Sequence, residues 1–307
     1  MKSLHLILLL LFGNFLLAQE INYSSKEIAI NTLIDGTLLT PKDNTKASLV
    51  IIIAGSGPTD RDGNQNFLKS NALKKLAIGL TNNNIATFRY DKRIVKQIRK
   101  NKVDKNIMFD DFVTDAKAVI DYFKTNYAFK NIYVAGHSQG SLVGIIAAKN
   151  RADGLISIAG AGQAIDQVIL EQIEKTAPMF TEDTKRIFGV LAEGKTTTNF
   201  PPALASIFNL DVQPFIANWM SYKPQEEIKK LEMPILIING TKDLQVSEAE
   251  AKLLNDAART STLKIIENMN HVMVPITGGD LENSKSYNET ARTLSPQLID
   301  SIVKFIK

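Results

Sequence analysis

Hydrophobic positions along this chain follow two spacings in turn. Residues 48–54, S-L-V-I-I-I-A, and 234–240, P-I-L-I-I-N-G, are continuous apolar runs of strand length, as expected for strands buried on both faces. Shorter runs at 85–90, 132–135, 154–159 and 262–266 read the same way. Helical spacing fills the intervals. It runs over 67–82 through Leu68, Leu73, Leu76, Ala77 and Leu80, and over 107–127 through Phe112, Val113, Ala116, Val119, Ile120 and Phe123. It returns over 247–258 and at the terminal 295–306. Near the start, 27–39 alternates apolar and polar residues around Asp35-Gly36, which predicts a hairpin of strands 28–34 and 37–40 closed by Pro41. Strands alternating with helices predict an α/β fold, a mostly parallel central sheet flanked by helices on both faces. Such a sheet binds ligands at the carboxyl ends of its strands.

Residues 163–230 interrupt that rhythm. They hold amphipathic stretches at 165–174 and 181–191, a Pro201-Pro202 break, and a segment with Phe208, Phe215 and Trp219. This predicts a mostly helical insertion between a first core portion, 19–162, and a second, 231–307. Aromatic side chains at that spacing suit either the insertion's own core or the wall of a pocket.

Residues 1–18 add a compartment. Lys2 precedes a largely apolar run, 6–17, broken by Gly13 and Asn14, and Ala18 stands before the polar Gln19-Glu20. That is the pattern of a signal peptide cleaved after Ala18, for export to a periplasm or the medium. Leu16 is large for its place before the cut, so an uncleaved anchor is the alternative. The run is short beside the roughly 20 residues of a membrane span, and no stable span is expected after cleavage. The chain has no cysteine, which excludes disulfides, thiolate metal sites, a cysteine nucleophile and a lipoprotein anchor. A net charge of +4 makes no electrostatic case for nucleic acid. The basic stretch 92–105 lacks interleaved aromatics and reads as a solvated loop or helix face.

The candidate chemistry centres on 131–144, N-I-Y-V-A-G-H-S-Q-G-S-L-V-G. An apolar run meets Gly136-His137-Ser138-Gln139-Gly140, and a small-residue helix pattern follows. A strand turning directly into a helix bends within about two residues, so the flanking positions have little room for side chains and the serine is held out at the sheet end. The helix N-terminus behind it favours negative charge. Ser138 therefore reads as a nucleophile, beside the plainer reading of a turn serine that caps a helix.

A nucleophilic serine needs a base. Of three histidines, His5 lies in the predicted leader and His137 adjoins the serine at a sharp bend. His271, just past the last predicted strand, remains. Asp243, in Gly240-Thr241-Lys242-Asp243, follows the preceding strand and could orient that imidazole; alone it would read as a turn aspartate or a helix cap. Asp211, in the insertion, is a weaker candidate because no strand end fixes it. The order Ser138, Asp243, His271 differs from those of the chymotrypsin and subtilisin arrangements. The oxyanion would be held by the backbone N–H of Gln139 and, from the glycine-rich loop 55–57, that of Ser56. That loop lacks the endings of a phosphate-binding loop.

On these motifs, together with Gly57-Pro58-Thr59-Asp60-Arg61-Asp62-Gly63, Arg89-Tyr90-Asp91-Lys92-Arg93 and Asn270-His271, the chain from about residue 28 onward resembles the α/β-hydrolase superfamily, specifically bacterial serine esterases and S33-like peptidases. The resemblance implies the three residues above as a triad, no cofactor, and a helical cap at 163–230 that shapes an acyl pocket. Two positions depart from the pattern: Ile94 stands where glycine usually follows Arg93, and Ala54 where a histidine often opens the oxyanion loop. The expected activity is hydrolysis of small-molecule acyl esters through an acyl-enzyme. An S33-like aminopeptidase is the alternative, requiring a carboxylate such as Glu171, Glu174, Glu182 or Asp183 to receive a substrate amine. A non-catalytic binding protein on the same fold is the alternative of another class.

Overall fold

Eight strands form one sheet in the order β1-β2-β4-β3-β5-β6-β7-β8. The computed structural model describes residues 22–42 and 46–307, so the leader expected at 1–18 lies outside the described residues. β1 (Tyr23–Ala29) and β2 (Asp35–Pro41) make an antiparallel hairpin. Its turn lies at residues 30–34, before the Asp35-Gly36 pair at which it was expected. Asn31 Oδ1 accepts the N–H groups of Leu33 and Ile34 at 2.8 and 2.9 Å and closes the bend. Asp35-Gly36 opens β2 instead. A Cβ on Gly36 would stand 2.4 Å from the Arg89 carbonyl, so this glycine serves a close strand approach rather than the turn.

β3 (Leu49–Ile53) is the middle of the sheet, and its five residues are all buried. The chain leaves it through α1 (Ala72–Thr81) to β4 (Ala86–Tyr90) on one side. It then returns through α2 (Arg93–Arg99) and α3 (Phe109–Asn126) to β5 (Ile132–His137) on the other. The direction of winding reverses between β3 and β5, so the loops after these two strands diverge and leave a crevice at their carboxyl ends. From β5 the sheet grows outward through α4 (Gln139–Ala148) and β6 (Gly154–Ile158). α1 starts later than its apolar spacing suggested. Phe67 and Asn71 have φ of 67° and 53°, and Asn71 exchanges hydrogen bonds with Asn64, which holds 67–71 as a tight loop.

Next comes a wholly helical stretch: α5 (Ile165–Thr176), α6 (Thr181–Ala192), α7 (Ala205–Phe208), α8 (Gln213–Met220) and α9 (Pro224–Ile228), with two short 3₁₀ turns. β7 (Ile235–Gly240), α10 (Glu248–Ala257), β8 (Ser261–Ile266), α11 (Asp280–Ser286) and α12 (Pro296–Ile306) complete the chain. The six strands from β4 to β8 in sheet order are mutually parallel.

Two apolar layers clasp the sheet because side chains alternate along each strand. Leu49, Ile51 and Ile53 face α3, α4, α9 and α10, while Val50 and Ile52 face α1 and α12. α12 contributes Leu298, Ile302 and Ile306, spaced by one helical turn. Each such aliphatic side chain contributes about 1.5–3 kcal/mol on burial. The helices between β6 and β7 pack on a third cluster of their own, around Ile187, Phe188, Leu204 and Phe208. Both stems of that stretch are fixed to the main body. At the first, Glu250 of α10 accepts the backbone N–H groups of Gly162 and Gln163 at 2.7 and 2.9 Å. At the second, Ile228 and Leu231 are buried in the sheet's core. Among the described residues no helix is long and apolar enough to cross a membrane.

Candidate active site

The bend between β5 and α4 holds Ser138 at φ 54°, ψ −122°, outside the comfortable regions for a side-chain-bearing residue. Its N–H is fixed to the Ile158 carbonyl at 2.9 Å. The flanking glycines are required by space. A Cβ on Gly136 would stand 2.1 Å from the Gly140 carbonyl oxygen, and one on Gly140 2.4 Å from that of Ile53. Among the described residues the Ser138 hydroxyl has no hydrogen-bond partner, and the side chain is half-buried where two cavities meet.

Asp243 and His271 come from the loops after β7 and β8 and hydrogen-bond to each other. His271 Nδ1 lies 2.8 Å from Asp243 Oδ2, and both side chains are buried. The carboxylate's other oxygen accepts the N–H groups of Gln245 and Val246 at 2.8 and 2.9 Å. A carboxylate accepts, so Nδ1 carries the proton, and Nε2 is the ring nitrogen left outside that bond. His271 and Ser138 line the same small cavity, without a direct hydrogen bond between them. In a ligand-free site such contacts commonly tighten only when substrate arrives. Asp211 lies apart from this group: it is exposed and ion-paired to Lys105 at 2.9 Å.

Residues with no signal in the apolar pattern hold this pair in place. Asn270 is buried; its amide donates to Asn283 Oδ1 and Ser286 Oγ, and its oxygen accepts the Val274 N–H. Asn283 in turn donates to the Lys242 carbonyl at 2.7 Å. Thus α11 ties the aspartate loop to the histidine loop. Its sequence, D-L-E-N-S-K-S, has no amphipathic stripe, so nothing in it points to a helix with this task.

His137 supports the same loop. Its Nε2 is 2.8 Å from the His271 carbonyl oxygen, an acceptor, so Nε2 donates. The two rings are 4.9 Å apart. Burial, with the neighbouring His271 second, pulls the His137 pKa down to about 4. The folded protein thus keeps His137 neutral where an unfolded chain would protonate it. Its contribution to stability is complete above the ordinary value of about 6.5 and is lost as pH falls from there towards 4. The urea midpoint of the wild type should therefore fall over that window more steeply than that of His137→Gln. Parallel slopes would remove His137 from the account.

The loop after β3 is built as a rigid arch. The Ser56 carbonyl accepts Thr59 Oγ1 at 2.6 Å and Gln65 Nε2 at 2.9 Å. Asp60 Oδ1 accepts the N–H groups of Asp62 and Asn64. Arg61 grips buried Asp91 through its backbone N–H, Nε and Nη2 at 2.8, 3.1 and 2.9 Å, and Arg89 Nε meets Asp62 at 2.9 Å. Burial pushes the Asp91 carboxyl up, but the Arg61 bonds and charge outweigh it and hold it below the usual range.

One part of the basic stretch differs from expectation. Lys92 is only 3% exposed; its Nζ donates to the Gly55 carbonyl and lies 5.2 Å from the centre of the Phe112 ring. Among the described residues it has no carboxylate partner, and burial pulls its pKa down to about 7. Arg93, beside it, is bidentate to Asp115 at 2.8 Å on both oxygens. Formal charge in a sequence does not tell a solvated lysine from a buried one. The N–H groups of Ser56 and Gln139 have no acceptor among the described residues. Ser56, Gln139 and Ser138 all line the larger cavity, of about 740 Å³, under the helical stretch. Phe215 and Trp219 of α8 stand in its wall, Trp219 stacked on Phe109 and Phe215 tilted against Phe112 of α3, whereas Phe208 is fully buried in the third cluster.

Residues 69–199 match the family model described as serine aminopeptidase, S33, a segment that includes Ser138 but ends before Asp243 and His271. The chain is 26% identical over 261 residues to an esterase, EstD, from Thermotoga maritima; the match spans 82% of this chain and 61% of that protein. Among solved structures, Est1E from Butyrivibrio proteoclasticus overlays with a TM-score of 0.58 at 17% identity, covering 92% of this chain and 98% of that one. A meta-cleavage product hydrolase from Pseudomonas fluorescens overlays with a TM-score of 0.54 at 18% identity, covering 93% and 98%. At such identities the overlays speak for the fold alone. Sheet order, the backbone at Ser138, loop placement and these likenesses agree: the chain has the α/β-hydrolase fold and is similar to hydrolases and esterases built on it.

Proposed function

We propose that this chain is a serine hydrolase that cleaves carboxylic esters through an acyl-enzyme. Ser138 is the nucleophile, His271 the base, Asp243 its orienting carboxylate, and the N–H groups of Ser56 and Gln139 the oxyanion donors. The observation that carries the reading is the buried Asp243–His271 pair, whose histidine lines a cavity together with the strained Ser138. Ser138 Oγ bonds to the ester carbonyl carbon as its proton passes to His271 Nε2. The tetrahedral oxyanion rests on the two N–H groups, and the dipole of α4 adds to them. The C–O bond breaks, His271 returns the proton to the departing alcohol, and water repeats the sequence to release the acid and restore Ser138.

Ester rather than aminopeptide cleavage is supported by the cavity's charges. None of Glu171, Glu174, Glu182 and Asp183 lines it. Glu171 is bonded to Gln163, Glu182 and Glu174 lie near Lys185, and Asp183 pairs with Arg186. The acids that do line it, Asp104 and Asp211, are exposed at the rim. A substrate ammonium would find no buried carboxylate waiting. The purified protein should label with a fluorophosphonate and cleave p-nitrophenyl butyrate with a kcat/KM at least about 100-fold above that for an aminoacyl p-nitroanilide. A reversed ratio would favour the peptidase, and absent labelling the non-catalytic alternative.

The helices between β6 and β7 are, on this reading, the cap over the acyl pocket, and the leader at 1–18 supports export. Terminal sequencing of secreted protein should begin at Gln19.

A further inference from the structure

We propose that this site divides its ester unequally, taking a long or bulky apolar acyl group on one side of Ser138 and a small polar alcohol on the other. The inference rests on the serine-hydrolase reading above and adds the class of substrate. Two cavities meet at Ser138. The larger, about 740 Å³, contains Gln139 but not His271. The smaller, about 100 Å³, contains His137 and His271.

Proton traffic decides which half of the substrate enters which cavity. The imidazole that takes the Ser138 proton must hand it to the alcohol oxygen as the C–O bond breaks. The alcohol must therefore leave from the side where His271 stands, the small cavity. The acyl carbon stays bonded to Ser138 Oγ, and its chain has the other cavity to occupy. That cavity is about sevenfold larger (740 against 100 Å³) and is walled by Ile94, Ile107, Leu142, Val168, Ile207 and Trp219.

The small cavity carries hydrogen-bonding hydroxyls. Ser70 is 3% exposed; its oxygen accepts the Ala72 N–H at 3.2 Å, and its O–H remains to donate. Tyr287 also lines it, with its hydroxyl engaged by the Gln245 side chain; burial lifts its pKa to about 12, so that hydroxyl stays protonated. A buried hydroxyl such as that of Ser70, left without an acceptor, costs free energy, so an alcohol that bears a second oxygen suits this side better than an alkyl chain.

A pair of isomers tests the division. Ethyl octanoate and octyl acetate have the same atoms and the same ester group, and differ only in which side is long. The expected result is a kcat/KM at least about tenfold higher for ethyl octanoate; equality or reversal would overturn the proposal. Ile207→Trp, which narrows the large cavity, should lower ethyl octanoate turnover more than octyl acetate turnover, and the opposite order would also overturn it. Glycerol mono-octanoate should show a lower KM than propyl octanoate, with the difference reduced in Ser70→Ala; equal values would overturn the polar half of the claim. A protein that labels with fluorophosphonate but prefers octyl acetate would sink the division alone. One that neither labels nor cleaves any ester would sink the hydrolase reading beneath it.

Discussion

Ser138→Ala protein should keep its melting temperature within a few degrees and lose at least about 10⁴-fold in kcat on any ester the wild type cleaves. The fold should survive because the hydroxyl has no hydrogen-bond partner among the described residues, and because the strained φ of 54° is imposed by the backbone around it. Alanine meets the same backbone with one atom fewer. The chemistry should not survive, since no other side chain at the elbow can carry the acyl group: the neighbours on either side are His137, donating to the His271 carbonyl, and Gln139, whose side chain is buried. Single-turnover assays on a chromogenic ester, beside a thermal melt, measure both halves. Wild-type turnover in a folded variant would refute the assignment of Ser138.

Lys92→Met should lower kcat by about 100-fold while changing KM by less than about threefold. The reasoning is stereochemical. A trans peptide is planar, with its C=O and N–H pointing to opposite sides. Lys92 Nζ holds the Gly55 carbonyl on the buried side, which aims the N–H of the same unit, that of Ser56, the other way. Thr59 and Gln65 hold the next peptide through the Ser56 carbonyl. If the Ser56 N–H is the oxyanion donor proposed above, Lys92 is a positioning residue for it and does not touch substrate. Methionine fills a similar volume and removes the one bond. Because a buried ammonium without a carboxylate partner costs stability, the variant should melt no lower than the wild type. A lower melting temperature with unchanged kcat would mark Lys92 as scaffold only.

The strands of this fold are plain in the sequence because full burial leaves continuous apolar runs, as at β3 and β7. Helices with one apolar face, α3 and α12 among them, are legible for the matching reason. Misplaced boundaries arose where polar side chains set the local geometry. Asn31 makes the first turn through its amide oxygen, and Asn64 with Asn71 delays α1, against an apolar spacing that pointed elsewhere. At the candidate site, a strand end and a short inventory of histidines pointed to Ser138, Asp243 and His271; the fold bonds Asp243 to His271 and places His271 and Ser138 on one cavity. The supports could not be found that way. Lys92 was hidden in a basic run, and Asn270 and Asn283 are polar residues whose burial depends on contacts far along the chain.

The helical stretch between β6 and β7 has its own apolar interior, yet both of its roots are pinned, one by Glu250 and the other by Ile228 and Leu231. A segment mounted in this way can have its inner surface recut by mutation while the sheet and the backbone at Ser138 keep their own packing, provided that α8 keeps its seat on Phe109 and Phe112. Substitutions that alter what the larger cavity admits would then fall mainly in that one stretch, leaving the sheet beneath it unchanged.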